Sequence, residues 1–142
     1  MYEDFHVTDK WTGEALHCVW KATMVAIATR HADATDIRFD VSGRVMWIAM
    51  PNIAWVQLRR ETGYVITDYA AAQAAGRYLK TIIENGYDNG RELYTMTVEE
   101  VLTNVKAVVD EAGRTGNLPL LPVIDNSVRP EDYAGHLPGE PA

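Results

Sequence analysis

The chain has 142 residues, 47% of them hydrophobic and 23% charged, which suits one globular domain with a real core and excludes global disorder. No run approaches the roughly 18 apolar residues of a membrane span. The opening Met1-Tyr2-Glu3-Asp4-Phe5-His6 lacks the basic-then-apolar pattern of a secretion signal, and the single Cys18 fits a reducing compartment, so a cytoplasmic protein is expected.

Residues 1–13 read as an irregular lead-in. From Glu14 to Arg30 the apolar residues Leu16, Val19, Trp20, Met24 and Ile27 recur at three- and four-residue spacing, which predicts a helix with Thr12 as a plausible N-cap. The β-branched Val19, Thr23, Val25, Ile27 and Thr29 would also suit a long strand.

Residues 37–50 are the clearest hairpin. Ile37, Phe39 and Val41 alternate with Arg38 and Asp40, Ser42-Gly43 supplies a tight turn, and Arg44 to Met50 follows. This second strand is apolar nearly throughout, which predicts an interior strand covered on both faces. Trp20 and Trp47 are expected on core faces. Asn52 to Glu61 suits a short helix, with Pro51 at its start and Gly63 past its end, although Val56, Leu58 and Arg60 also alternate as in a strand.

Two later helices carry stronger signals. Thr67 caps a segment from Asp68 to Glu84 whose inner stripe is Ala72, Ala75, Leu79 and Ile82, ended by Asn85-Gly86. Gly76 inside this helix costs about 1 kcal/mol relative to alanine, so a close approach to the backbone is expected there. Thr97 and Glu100 form a capping box for a helix carrying Val98, Val101, Leu102, Val105, Val108, Val109 and Ala112, with Gly113 as its terminator. Leu93 to Met96 predicts a short strand. Pro119, Pro122, Pro130, Pro138 and Pro141 make residues 115–142 an extended arm, and Leu118, Leu120, Leu121, Val123 and Ile124 require that its first part dock on something.

Few standard chemistries survive. Ser42 and Ser127 are the only serines, and neither lies in a G-x-S-x-G elbow. His17 beside Cys18 is a poor base for that thiol, because neighbours on a helix point about 100° apart, so a buried structural cysteine is expected. Neither G-x-x-x-x-G-K-[ST] nor G-x-G-x-x-G occurs, which argues against P-loop nucleotides and dinucleotide cofactors. Aligning Gly90 with the invariant glycine of a calcium loop puts Met96 where a bidentate acid is required, so Asn85–Gly90 reads as a turn. His31, Asp33, Asp36 and Asp40 have metal-binding side chains without a metal-binding spacing. The net charge of −7 falls entirely in residues 84–142, which hold eleven acidic and four basic side chains. Without a clustered basic surface, nucleic-acid binding is not expected.

These residues predict an α+β fold: residues 1–114 form one domain, a small antiparallel sheet built on residues 36–50 and packed against three to four helices, and residues 115–142 an extended proline-rich C-terminal arm docked on its own domain or a neighbouring subunit. The expected function is a non-catalytic protein interaction or assembly module, homo-oligomeric, with no cofactor, metal or membrane partner. The alternative is a small-molecule binder or small enzyme that holds an anionic ligand with Arg59, Arg60, Arg77 and Lys80, beside Tyr78 and Trp55.

Overall fold

The computed structural model describes residues 1–26, 34–115 and 123–124. Among these, β1 (Asp4–Thr8), β2 (Ala15–Ala26), β3 (Ala34–Val41) and β4 (Arg44–Pro51) form an antiparallel meander. The chain then runs through α1 (Ile53–Thr62), β5 (Tyr64–Val65) and α2 (Asp68–Glu84) before β6 (Leu93–Thr95) joins β4 in parallel. The helix α3 (Val98–Thr115) follows, and β7 (Val123–Ile124) pairs antiparallel with β5. The result is an α+β fold with a five-stranded sheet ordered β1-β2-β3-β4-β6. That sheet is mixed rather than antiparallel, because α1, β5 and α2 carry the chain back to the starting end before β6 adds to β4.

The largest departure from expectation is residues 15–26, a strand and not a helix. Leu16, Cys18 and Trp20 alternate inward, then a bulge between Trp20 and Ala22 inserts one residue, so Thr23 continues the same face. The inward spacing from Leu16 to Trp20 to Thr23 is therefore four and then three, which imitates a helix. Residues 4–8, expected to be irregular, form the edge strand β1. Thr12 caps no helix: its amide and that of Trp11 donate to Asp9 Oδ1 in the β1–β2 connection.

The hairpin of β3 and β4 turns at Ser42 and Gly43, with φ of 47° and 91°. Two consecutive positive φ values suit a two-residue turn whose twist matches the strands. Residues 53–62 resolve as helix, and Gly63 at φ 75° returns its N–H to Arg59 O. Pro51 ends β4 instead of opening α1. At α2, Thr67 accepts the Ala70 amide at 3.1 Å. At α3, the Thr97 amide donates to Glu100 Oε1 at 2.9 Å, and the Glu100 amide returns a bond to Thr97 Oγ1 at 3.0 Å. The helix α3 runs through Gly113 to Thr115, so that glycine does not terminate it.

All three helices among the described residues lie on one face of the sheet. Their apolar stripes bury Ile37, Phe39, Val41, Met46, Ile48 and Met50 against Leu58, Ala72, Ala75, Leu79, Val101 and Val105. The small-residue face of α2 lets the backbone of the first residues approach: the Tyr2 amide donates to Gln73 Oε1 at 2.8 Å, and the Gln73 amide donates to Glu3. Tyr2 OH reaches Glu111 on α3 at 2.9 Å. Among the described residues, no helix is long and apolar enough to cross a membrane.

Candidate functional site

Strand pairing assigns each residue of the sheet to a face. The row Met24–Asp36–Ala49–Thr95 and the next row Ala22–Arg38–Trp47–Leu93 point away from the helices. Val19, Asp40 and Val45 continue that outer face by one more row. No described helix covers it. Met24 is 56% exposed and Leu93 50%, while Val45 and Trp47 are partly buried and Ala49 is buried. This corrects one expectation, since Trp47 lies opposite the core; β4 is the interior strand expected, between β3 and β6, and on its second face Ala49 is 6% exposed. An apolar β4 gave no alternation to read, and its register against Arg38 decides the direction of Trp47.

The outer face has a charged spine flanked by apolar ridges. On β3, Asp36, Arg38 and Asp40 run in line, and Arg38 Nη2 donates to Asp40 Oδ1 at 3.3 Å. Arg38 Nε is buried and has no hydrogen-bond acceptor among the described residues. Burial pushes the Asp36 carboxyl above its ordinary range. Both observations describe charges already partly withdrawn from water.

The basic residues expected to hold an anion are not gathered into one site. Arg59 and Arg60 lie in the last turn of α1, whereas Arg77 and Lys80 lie on α2. These helices do not pack on one another; α3 packs against both. Arg77 donates to Glu111 Oε1 at 3.1 Å and to Asn104 Oδ1 at 2.9 Å, which ties α2 to α3. Lys80 sits 3.8 Å from Glu84 on its own helix. Tyr78 packs against the core, and burial followed by the Glu100 charge raises its phenol. Trp55 packs at the start of α1, its indole N–H 3.4 Å from Thr35 Oγ1.

Trp55 lines a cavity of ≈ 270 Å³ with Thr35, Asn52, Ile66 and Asp68. A larger groove of ≈ 460 Å³ between α1 and α3 is bridged by Lys106 and Glu61 at 3.1 Å. Neither cavity is lined by Arg59, Arg60, Arg77 or Lys80.

Cys18 is fully buried, and that burial pushes its thiol up to about 12. It shares no face with His17, which points outward on β2, stacks on His6 with ring centroids 4.4 Å apart, and meets Asp4 at 2.5 Å. The expected separation of thiol and imidazole holds, for the reason that strand neighbours point to opposite faces. In the loop 85–90, Asp88 accepts from Tyr94 OH at 2.7 Å and pairs with Arg44 at 2.5 Å. Burial would raise its carboxyl, but Tyr94, the Gly90 amide and Arg44 hold it below its ordinary value. His31 and Asp33 lie outside the described residues, and Asp36 and Asp40 stand on the outer sheet face. No group of three or more His, Cys, Asp or Glu side chains is placed to hold a metal among the described residues.

Comparison with protein-family models, curated proteins and solved structures finds no match.

Proposed function

We propose that this domain is a non-catalytic interaction module that docks another protein chain on the outer face of its five-stranded sheet. The observation that carries this reading is the exposure of Met24 and of Leu93, the latter paired with Trp47, on a face with no described helix over it. A sheet with one face on the core normally alternates apolar-in and polar-out. Here the outward positions of β2, β4 and β6 include Val19, Ala22, Met24, Val45, Trp47, Ala49 and Leu93. Apolar ridges of this kind on an outer sheet face, with methionine on one side and tryptophan on the other side of a charged spine, are characteristic of protein-binding surfaces. The anion-binding alternative has less support, since Arg77 and Lys80 are occupied by acidic neighbours and α1 stands apart from α2.

Side-chain oxidation footprinting tests the reading. Met24 and Trp47 should be protected in the lysate of expressing cells and become reactive in purified, dilute protein. Trp11, 71% exposed in the β1–β2 connection, is the reference that stays reactive in both. Equal oxidation of Met24 and Trp47 in the two samples would sink the proposal.

A further inference from the structure

We infer that the chain docked on this face is a second copy of the same chain, related by a two-fold axis that lies between the sheets and crosses β3 at Ile37. The inference rests on the interaction reading above and adds the partner and the register.

The argument is one of complementarity between adjacent rows. An axis running across the strands at the level of Ile37 keeps each strand over its own equivalent and inverts the order of rows along it. The row Ala22–Arg38–Trp47–Leu93 then faces the row Met24–Asp36–Ala49–Thr95 of the other copy. Within these two rows every pair is matched, while the third row places Asp40 and Val45 opposite Ala34 and Pro51 and leaves Asp40 with its own Arg38 as partner. Trp47 meets Ala49, Met24 meets Ala22, and Leu93 meets Thr95, so each large side chain opposes a small one. Arg38 meets Asp36, and two-fold symmetry makes each of these contacts twice. Packed sheets interdigitate in this large-against-small manner at about 10 Å separation, with strands within about 30° of alignment.

The charges point the same way. Asp36 and Arg38 are already partly buried within one copy, and Arg38 pairs with Asp40 of its own chain, so a cover that supplied no opposite charge would strand Asp36. The second copy supplies an aspartate for each Arg38 and a guanidinium for each Asp36. A register that places equivalent residues opposite each other would instead set Arg38 against Arg38. Two rows across β2, β3, β4 and β6, with strands about 4.8 Å apart and a rise of about 3.3 Å per residue, cover roughly 250 Å² in plan before side-chain relief is counted. That is below the roughly 800 Å² per partner of a standard stable interface, so the expected dimer dissociates on dilution.

Sedimentation of the full chain across a concentration series, with the same footprint, tests the inference. The expected particle has twice the 15.9 kDa chain mass, and Met24 and Trp47 are protected in it. Arg38→Asp sets a second carboxylate against Asp36 of the other copy and should weaken the dimer by about tenfold or more, the scale on which like charges discriminate between partners. Arg38→Asp combined with Asp36→Arg restores opposite charges across the axis and should recover most of that loss. Circular dichroism of each variant confirms the fold, since both side chains point away from the core. A dimer indifferent to both variants overturns the register. A protected face on a particle whose added mass is not a second copy overturns the inference and leaves the interaction reading standing. A protected face on a 15.9 kDa particle overturns both and assigns the cover to the chain itself. An oxidised face on a monomer at every concentration also overturns both.

Discussion

Gly76 and Tyr2 fit together with no room for a side chain between them: a Cβ at Gly76 would lie 2.5 Å from the backbone oxygen of Tyr2 and 2.7 Å from its Cβ. The same Cβ would meet the Phe39 ring at 3.3 Å. The mid-helix glycine of α2 is therefore the seat on which the first residues rest, between Gln73 below and Glu111 beside them.

Gly76→Ala should destabilise the protein by about 1–2 kcal/mol, even though alanine favours the helix itself by about 1 kcal/mol. The new methyl group must displace residues 1–3 and with them the Gln73 bonds. Urea denaturation of the two proteins measures this, and a variant as stable as the parent would show that the contact contributes nothing.

Glu3 predicts an acid-sensitive contribution. Burial would raise its carboxyl, but bonds from the Met1 amino group and from Gln73 outweigh burial and lower it to about 2. The unfolded chain, with an ordinary carboxyl near 4.5, then binds the proton more readily than the folded one. The stabilisation is complete above pH 4.5 and is lost as pH falls towards 2. Its size at neutral pH is on the order of 1 kcal/mol, discounted because the side chain is 33% exposed. Glu3→Gln should flatten the stability profile across that window, as read by urea midpoints at several acid pH values. An unchanged slope would remove Glu3 from the account.

Cys18 should be inert while the protein is folded. It has no exposed surface, and its thiol is pushed up to about 12 by burial alone, so the nucleophilic thiolate is scarce as well as inaccessible. An aromatic disulfide reagent should label it only in step with unfolding by denaturant. Rapid labelling in native buffer would contradict both its burial and the non-catalytic reading.

Local chemistry in the sequence determined α2, α3 and the β3–β4 hairpin. Thr67 and the Thr97–Glu100 box satisfy helix amides within a few residues of themselves, and Ser42-Gly43 needs only its own φ values. Such signals act over one turn of chain and need no tertiary partner. The buried Cys18 and the close approach at Gly76 were legible too, the first from its residue type and the second from a glycine that weakens its own helix.

Three things were decided only in the tertiary structure. The strand β2 pairs on both sides, and its bulge breaks the alternation that would have betrayed a strand, leaving the helix-like spacing of Leu16, Trp20 and Thr23. The strand β6 falls where Leu93–Met96 predicted one, but its parallel place beside β4 depends on where α1 and α2 deliver it. The candidate surface was invisible for the same physical reason. Trp47 shares an apolar strand with Met46, Ile48 and Met50, and only pairing with Arg38 turns it away from the core. Side-chain period along one strand fixes which residues share a face, whereas the partner strands and the helices packed on them fix which face meets the core.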